Sequence, residues 1–540
     1  MKLNLMNILS ILARENPRIL YYLVVPNIRT GIFSALIITL ALNGICDIVE
    51  GINYIFYMFL IPANAILLIL SKHSAHSKLN DLSENVQNKL ILRIINNFRR
   101  AELEVVENKN LTEIYSQIVN AQTITTSIQK FADSIQHSTS IICLWIYIAY
   151  LSVILAVIFF IIFLFIVYSY ILTQELLKPV IEKEFTHKTE MYEQMSHILN
   201  GFKELKISQP QNDDIFHNYL SQAINQTQNT RFSSLASHTH FLLIVNVSFY
   251  FVIGLTSFVF TTYFEQNLLI QVMTIYIFMW TPTLSILTAI PYIQNGQIAL
   301  KQLMSLIKEF GDSDDETIPV NISEHEPINS FKRIYFDKLT YKYQQKAKST
   351  TFCVGPLNLE IHSGEIIFIT GGNGCGKTTL LKLITGLYQP LLGNVYIDQK
   401  YVNIADHRYL FSAIFSDFYL FDKLYGFDKI DKQQIDHLLA TMALNKKVEW
   451  VDKHFSTKKL STGERKRLAL IAALLEDRPI YVFDEWAADQ DTYFRHYFYE
   501  TLLPLLKQQG KTVIVVTHDD TFFHLADQHI RLNYGQLENK

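Results

Sequence analysis

The sequence predicts an all-α domain of six transmembrane helices fused to an α/β domain. Three observations lead to this fold class. Several long uncharged stretches lie before residue 300 of the 540-residue chain, a glycine-rich phosphate-binding motif follows between an apolar strand and a helix, and an acidic segment separates the two parts. The overall charge of −3 and the hydrophobic content of 49% therefore average over two unlike halves.

Five uncharged stretches in the first part are candidates to cross about 30 Å of hydrocarbon, which takes ~20 helical residues. A buried helix of a soluble core is the alternative for any one of them, but five cannot all be buried in so short a segment. The longest is about twice one span at ~1.5 Å per residue, so we interpret it as a tight hairpin, which gives six spans. The stretches are Thr30–Ile45, Gly51–Leu70, Ser138–Thr173, Phe241–Phe264 and Asn267–Ile290.

The distribution of Lys and Arg predicts how these spans are oriented. The segments 72–135 and 174–236 are rich in both residues, whereas the turns at 46–50 and 265–266 contain neither. Because cytoplasmic loops carry the excess of Lys and Arg, we expect both basic segments in the cytoplasm. The N-terminus and the C-terminal domain are expected on the same side.

The domain organisation follows from these patterns. We expect a membrane domain at 1–310 with long cytoplasmic helical extensions, an acidic linker at 311–327, and a nucleotide-binding domain at 328–540. The linker contains several Asp and Glu residues and a proline, which interrupt the apolar pattern.

The phosphate-binding motif is the most specific signal in the chain. It fits G-x-x-x-x-G-K-[ST] and comes directly after the apolar run Ile366–Ile369. The glycines let backbone N–H groups surround a phosphate, and the helix N-terminus adds its positive end. Lys377 is expected to reach the β- and γ-phosphates of ATP, and the Thr378 hydroxyl to ligate Mg²⁺. The predicted nucleotide-binding residues of this loop are Gly371, Gly372, Asn373, Gly374, Cys375, Gly376, Lys377, Thr378 and Thr379.

Four further features come in the order found in ABC ATPases, which the C-terminal domain resembles. The apolar strand that ends in Asp484 and Glu485 resembles Walker B, where the first acid holds the Mg²⁺ shell and the second polarises the attacking water. By the same resemblance, His518 matches the switch histidine and Asp491 the D-loop acid. Tyr343 matches the aromatic residue that stacks on adenine. The resemblance thus implies Glu485 and His518 as the catalytic residues.

The segment Leu460–Glu464 is similar to the signature loop of ABC ATPases, with Thr462 in place of the usual first glycine. The resemblance implies that Ser461, Thr462, Gly463 and Glu464 contact nucleotide. A local interpretation is also open, because Ser461 and Glu464 form an S-x-x-E capping box at the start of a helix.

The segment Ile414–Phe421 aligns with the Q-loop of ABC ATPases, but Ser416 stands where a glutamine is usual. In the family that glutamine reaches Mg²⁺ and the attacking water while it contacts the membrane domain. Ser416 is too short to do both, so Asp417 or a water molecule is an alternative. We retain Ser416 as a candidate nucleotide and metal ligand beside Thr378 and Asp484.

A closer resemblance is carried by the motif DEWAADQD at Asp484–Asp491, since most ABC exporters have a proline after the Walker B glutamate. With Phe411–Phe415 and Lys203–Lys206, it is similar to the bacterial cyclic-peptide export family, which includes syringomycin-, pyoverdine- and microcin-type exporters. The resemblance implies ATP and Mg²⁺ as cofactors and export of a peptide- or siderophore-like cargo across the inner membrane. It also implies a homodimer, in which each ATP lies between Lys377 of one copy and Ser461 of the other.

Two other functions stay open: a lipid-flipping transporter, and a membrane-bound sensor that hydrolyses ATP without transport. Intact Glu485 and His518 favour turnover. The family also implies cytoplasmic helix tips that press on the ATPase domain, with Asn108–Glu113 and Ser208–Phe216 as candidates. A solvated charged helix is the alternative for each.

Other residues say less about function. Cys375 lies inside the phosphate loop, whose positive field is expected to favour the thiolate, so we expect maleimide to inactivate the protein and ATP to protect it.

No basic surface interleaved with aromatic residues indicates a nucleic-acid partner. Membrane lipid is an expected neighbour of the spans. Their polar and aromatic positions, either interhelical contacts or cargo-lining residues, are Asn43, Asn53, Asn64, Asn246, Gln271, Tyr276 and Trp280.

Overall fold

The structure is a computed structural model that describes residues 18–49, 55–107, 111–310, 330–343, 352–427 and 430–538. The chain forms two compact units, residues 1–101 with 105–316, and residues 102–104 with 317–540. The predicted linker at 311–327 and part of the first candidate helix tip lie outside the described residues.

The first unit is helical throughout its described part. The helices of the chain up to residue 309 are α1 (Arg18–Val49), α2 (Ile55–Arg100), α3 (Leu103–Glu107), α4 (Leu111–Val119), α5 (Ala121–Leu151), α6 (Val153–Asn200), α7 (Phe202–Ile207), α8 (Gln209–Asp214), α9 (Ser221–Phe258) and α10 (Gln266–Glu309). A π-helical segment, Ile215–Leu220, joins α8 to α9, and a 3₁₀ turn, Phe260–Thr262, precedes α10.

Within the described residues, five helical segments are long and apolar enough to cross a membrane: Tyr21–Ile45, Ile55–Arg100, Val153–Tyr170, Gln209–Thr262 and Gln266–Glu309. The sixth long helix, α5, is not one of them. Only its C-terminal part, from Ile141 to Leu151, is apolar, because Gln, Thr, Ser and His residues are frequent in the part before it.

The long stretch Ser138–Thr173 is divided at Ser152, between α5 and α6. Ser152 has extended backbone angles, φ −158° and ψ 114°, and its hydroxyl accepts a hydrogen bond of 3.5 Å from the Leu155 backbone N–H. Ser152 therefore caps the new helix. This is the turn that the hairpin interpretation requires.

Helix α5 packs closely against α10 and α1 at two glycines. A Cβ atom on Gly296 of α10 would lie 2.3 Å from the Ser127 Cβ, and one on Gly31 of α1 would lie 2.4 Å from the Gln136 carbonyl oxygen. Small residues at such crossings let helix backbones approach each other, which is how membrane helices gain packing energy.

Several of the polar and aromatic membrane positions make contacts inside the helical unit. The Asn64 side-chain amide donates to the Phe33 carbonyl at 3.3 Å, and the Tyr147 hydroxyl donates to the Asn43 side chain. Tyr276 is buried and stacks on Phe249 with ring centroids 4.2 Å apart. These contacts favour a packing role for Asn43, Asn64 and Tyr276. Asn53 lies outside the described residues.

The second unit contains two large β-sheets. Its strands are β1 (Arg333–Lys342), β2 (Cys353–His362), β3 (Ile366–Gly371), β4 (Leu392–Ile397), β5 (Lys400–Val402), β6 (Phe411–Ile414), β7 (Trp450–Val451), β8 (His454–Phe455), β9 (Ile480–Asp484), β10 (Thr512–Val516), β11 (Gln528–Asn533) and β12 (Gln536–Leu537). The four-stranded antiparallel sheet has strand order β2-β1-β4-β5, and the six-stranded sheet has order β12-β11-β3-β10-β9-β6. In the six-stranded sheet only the β11–β12 pair is antiparallel.

Helices and short turns cover the six-stranded sheet. Strands β3, β9 and β10 are almost entirely buried, as expected of parallel strands packed on both faces. The helices of this unit are α11 (Lys377–Ile384), α12 (Lys432–Thr441), α13 (Thr462–Glu476), α14 (Thr492–His496) and α15 (Leu503–Gln508), with a 3₁₀ turn at Trp486–Asp489 and a π-helical segment at Tyr497–Leu502.

The order of the central strands positions the predicted site. Strand β10 lies between β3 and β9, and all three run in parallel. Their carboxyl ends therefore meet at one edge of the sheet, which is where α/β proteins bind ligands. The segments that leave this edge are the glycine loop after β3, Asp484 with Glu485 at the end of β9, and His518 after β10.

Candidate active site

The glycine loop between β3 and α11 has a backbone that only glycine adopts easily. Gly371 has φ 152°, and a Cβ atom there would lie 2.2 Å from the Leu532 carbonyl oxygen. Gly376 precedes α11 with φ 103°. Left-handed angles at these positions explain why the motif needs glycine. Among the other residues of the loop, Gly372, Asn373 and Gly374 are exposed.

The Lys377 side chain folds back over this loop. Its ammonium donates to the Gly371 carbonyl at 3.0 Å and to the Gly372 carbonyl at 3.2 Å, and the residue is only 7% exposed. A buried ammonium held by neutral carbonyls is a strong partner for an anion. The loop therefore combines a fixed positive charge with the positive end of α11.

Oxygen atoms from three segments surround the end of β9. The Thr378 hydroxyl donates to Asp484 Oδ2 at 3.0 Å. Ser416 donates to the same carboxylate through its backbone N–H and its hydroxyl. A buried carboxylate and two hydroxyls are hard donors of the kind that Mg²⁺ prefers, and Mg²⁺ bound with a nucleotide needs only one or two protein ligands. Thr378, Asp484 and Ser416, the predicted metal ligands, are thus brought together.

Burial raises the pKa of Asp484 above its ordinary value, because the carboxylate loses hydration. The neighbouring carboxylate of Glu485 raises this pKa further, whereas the hydrogen bonds from Thr378 and Ser416 lower it. Asp484 is 2% exposed. A cation at this position would therefore compensate a carboxylate that is costly to keep charged.

The two predicted catalytic residues lie side by side. His518 Nε2 is 3.3 Å from Glu485 Oε1, and both side chains are partly exposed. Glu485 has left-handed backbone angles, φ 50° and ψ 37°, which are uncommon for a residue with a side chain. Its backbone N–H donates to the Val516 carbonyl at 3.1 Å, which ties it to strand β10.

Tyr499 supports the segment around His518, a role that the sequence analysis did not assign. Its hydroxyl lies 2.6 Å from the Thr517 hydroxyl and donates to Asp519 Oδ2 at 2.9 Å, so it holds both neighbours of His518. Burial raises the pKa of Tyr499, which stays neutral. The only signal in the sequence was its place in the Phe498-Tyr499 pair that follows DEWAADQD.

Tyr343 lies beside the first turn of α11. Its hydroxyl is 2.8 Å from the Thr379 hydroxyl, and its ring packs edge-on against Tyr341 and Tyr388. Thr379 is thereby engaged within the domain. Tyr343 is next to the phosphate loop, as the resemblance requires of an adenine-stacking residue, and that role stays a prediction.

The capping box at the start of α13 is present. The Glu464 backbone N–H donates to the Ser461 hydroxyl at 3.4 Å, and the Ser461 backbone N–H donates to Glu464 Oε2 at 3.0 Å. Hydrogen bonding from Lys447 is the largest cause that lowers the pKa of Glu464 to about 2. The local interpretation of Ser461 and Glu464 is confirmed. Contact of Ser461, Thr462, Gly463 and Glu464 with nucleotide stays a prediction.

Asp491 also has a local structural role. Its carboxylate accepts a hydrogen bond of 2.9 Å from the Phe494 backbone N–H and caps α14. The D-loop position is therefore fixed by helix capping. Contact of Asp491 with nucleotide is untested and stays a prediction.

Cys375 is buried, whereas a reactive thiol is expected to be exposed to solvent. The residue is 6% exposed, packs in the core between the two sheets, and its Sγ would lie 2.7 Å from a Cβ atom on Gly371. Alkylation requires an accessible thiolate. The side chain points away from solvent, so this arrangement does not support the prediction that maleimide inactivates the protein through Cys375.

The C-terminal part of the chain is similar to known ATP-binding proteins. Residues 354–488 match the ABC transporter family model. The ATP-binding protein SyrD of Pseudomonas syringae pv. syringae is 43% identical over 270 residues, which cover 47% of this chain and 47% of SyrD. The ATP-dependent lipid A-core flippase of Cupriavidus metallidurans is 25% identical over 263 residues, covering 45% of this chain and 42% of the flippase. The chain spans about half the length of these relatives.

The fold has a close counterpart among solved structures. The structure of a bacterial Atm1-family ABC exporter with ATP bound matches with a TM-score of 0.77 at 17% sequence identity, over 98% of this chain and 95% of that chain. This likeness confirms the predicted fold class, a helical domain with candidate membrane spans joined to an α/β P-loop domain. The chain therefore has the fold and domain composition of an ABC exporter, and its residues 354–488 match the ABC transporter family.

Proposed function

We propose that this protein uses ATP to export a peptide-like metabolite, a cyclic peptide or a siderophore, across the bacterial inner membrane as a homodimer. One observation carries the proposal. Phosphate loop, metal ligands and catalytic pair meet at one edge of the six-stranded sheet, in a chain with an exporter fold.

The contacts support a role in hydrolysis for each of these residues. Lys377 would neutralise the β- and γ-phosphates, and Thr378 with Asp484 would hold Mg²⁺, whose charge would offset the charge that develops on the phosphoryl oxygens. Glu485 accepts a proton from the attacking water as its oxygen bonds to the γ-phosphorus, and ADP leaves. His518, 3.3 Å from that carboxylate, orients it.

The number of nucleotide-binding motifs in one chain supports a dimer. One chain supplies one phosphate loop and one signature segment, and in ABC ATPases each ATP is shared between two domains. The N-terminus of α13 presents backbone N–H groups and the Ser461 hydroxyl, both suited to an anion. Each ATP would then lie between Lys377 of one copy and this helix terminus of the other.

The cargo is inferred from SyrD, an ATP-binding protein that is 43% identical to this chain over about half of its length, and from the DEWAADQD motif. To test it, we would compare metabolites of culture supernatant and cell pellet by mass spectrometry, with the wild-type protein and with Glu485→Gln. Peptide or siderophore metabolites should accumulate inside cells that carry the variant. The matched control is Glu500→Gln, since Glu500 forms a similar pair with His496 at 3.1 Å on the exposed part of the same domain.

A lipid-flipping transporter is the second candidate, supported by the 25% identity to the lipid A-core flippase. Purified protein in proteoliposomes with a fluorescent phospholipid would distinguish the two. ATP-dependent loss of lipid asymmetry, together with unchanged metabolites in the Glu485→Gln cells, would favour flipping. ATP hydrolysis with neither effect would favour a sensor.

A further inference from the structure

Lys466 of helix α13 is a buried cation that the proposed reaction does not yet use. It is 3% exposed, and its ammonium lies 2.7 Å from Asp489 Oδ2 and donates to the Glu485 carbonyl oxygen at 2.8 Å. A buried ammonium is costly unless it is paired and hydrogen-bonded. Both of its partners belong to the segment that starts with the catalytic glutamate.

The Glu485 backbone needs such a partner. Its left-handed angles put it in a sparsely populated conformation, which persists only when the surroundings hold it. The N–H of Glu485 is held by Val516 and its carbonyl by Lys466. Since the two peptide groups flanking Glu485 set the direction of its side chain, Lys466 helps to direct the carboxylate toward His518.

Two more hydrogen bonds connect the same segments. The Trp486 indole N–H donates to the Lys466 carbonyl at 3.0 Å, and the Gln490 side-chain amide donates to the Gly463 carbonyl at 3.1 Å. A Cβ atom on Gly463 would lie 2.5 Å from the Asp489 carbonyl oxygen, so the two backbones are in close contact. Hydrogen bonds and close backbone contact therefore connect the N-terminal half of α13 to the segment after β9.

We infer that Lys466 is a positioning residue, which fixes the Glu485 carboxylate and links it to the signature end of α13 in the same chain. The inference rests on the proposed function, since it assigns the general base to Glu485. Its consequence is that nucleotide from the partner, seated on the Ser461 end of α13, stabilises the hydrolytic geometry of this chain's own site. The reactive group stays Glu485, and Lys466 acts through it.

The test is steady-state hydrolysis of Mg·ATP by the full-length protein, with kcat and KM measured separately. Lys466→Met keeps an unbranched side chain that is one atom shorter and removes the cation. A 1 Å displacement of a reacting group costs roughly 100-fold, so we expect kcat to fall about 10- to 100-fold while the KM for ATP changes less than about twofold. Lys466→Arg should recover part of kcat, because it restores a cation near Asp489.

Lys511 supplies a matched control. Its ammonium contacts one carboxylate and one carbonyl, Asp477 Oδ1 at 2.7 Å and Asp477 O at 3.2 Å, on the same domain. Lys511→Met should leave kcat unchanged. Asp489→Asn is a milder second variant should Lys466→Met not fold, since the Asp489 side chain is 47% exposed, and it should lower kcat in the same way.

A double variant separates this inference from the proposed function. In Glu485→Gln the base is already lost, so adding Lys466→Met should cause no further loss of residual hydrolysis. If Glu485→Gln hydrolyses ATP at the wild-type rate, the proposed function fails. If Glu485→Gln is impaired but both Lys466→Met and Asp489→Asn keep the wild-type kcat, or if Lys466→Met lowers hydrolysis equally in both backgrounds, only the positioning role is wrong.

Discussion

His518 Nε2 lies 3.3 Å from Glu485 Oε1. His518 follows strand β10 and Glu485 follows strand β9, so the pair exists only because the two strands are neighbours in parallel register, with Val516 beside Asp484. Parallel pairing of the central strands thus assembles the proposed catalytic pair.

Replacing the base should separate ATP binding from ATP hydrolysis. Glu485→Gln keeps the size of the side chain but cannot accept the proton, so hydrolysis should fall by about 10²- to 10⁴-fold, the usual contribution of a general base. ATP binding should persist, because the phosphates contact the loop and Lys377. Phosphate release and equilibrium ATP binding measure the two effects, with Glu500→Gln as the unaffected control. Loss of binding together with hydrolysis would contradict the assignment.

Mg²⁺ dependence should be sensitive to pH. The raised pKa of Asp484 means that its carboxylate takes up a proton at higher pH than an ordinary aspartate does. Protons therefore compete with Mg²⁺ as the pH is lowered, and the Mg²⁺ concentration that gives half-maximal ATPase activity should rise.

The variant Ser416→Ala should strengthen that effect. Hydrogen bonds from Ser416 lower the pKa of Asp484, so loss of the hydroxyl raises this pKa, and Mg²⁺ binding should weaken from a higher pH than in the wild type. Ser456→Ala is a control, since the Ser456 hydroxyl accepts only the Glu449 backbone N–H at 2.9 Å in an exposed turn. Identical pH profiles for Ser416→Ala and the wild type would show that Ser416 does not act on Asp484.

Two inactive variants should complement each other if the protein works as the proposed dimer. Lys377→Ala disables a phosphate loop, and Ser461→Arg blocks a signature segment. In a mixed dimer, one ATP site then combines both defects and the other combines two intact halves. Co-expressed variants should therefore hydrolyse ATP well above either variant alone. If the mixture is as inactive as its components, each site is built within one chain.

Close packing of the helical unit predicts opposite effects at two glycines. In Gly296→Ala the new methyl group would meet Ser127 at 2.3 Å, so α10 and α5 must separate, with a cost typical of overpacking, about 1–3 kcal/mol. In Gly254→Ala nothing lies within 4 Å of the new atom, and the gain in helix propensity is about 1 kcal/mol. Thermal unfolding midpoints in nanodiscs should fall for the first and rise for the second. Equal shifts of the two unfolding midpoints would show that helix propensity alone determines the stability of both variants.

Local chemistry made much of the second unit predictable. A glycine loop between an apolar strand and a helix, a strand ending in two acids, and the S-x-x-E capping box each lie within a few residues, and all three form as expected. The hairpin at Ser152 was predicted only from length, because no Gly or Pro marks the break, and a serine cap provides it instead.

Contacts between segments that are distant in the chain could not be predicted from the sequence. Burial of Cys375 depends on the close approach of β11 to the glycine loop, since Gly371 pairs with Leu532. The contact of Ser416 with Asp484 depends on strand β6 lying next to β9. Lys466 was part of an ordinary charged helix in the sequence, and only tertiary packing places its ammonium on the Glu485 backbone.

The capping box at Ser461 has a consequence for how the signature segment could exchange partners. A helix N-terminus always needs acceptors for its first N–H groups, and here a serine hydroxyl at 3.4 Å supplies one weakly. A phosphate oxygen arriving from outside would satisfy the same N–H groups more strongly. The Glu464 N–H would therefore have an acceptor whether the two halves of the site are apart or together, and separation after hydrolysis would not leave it unsatisfied.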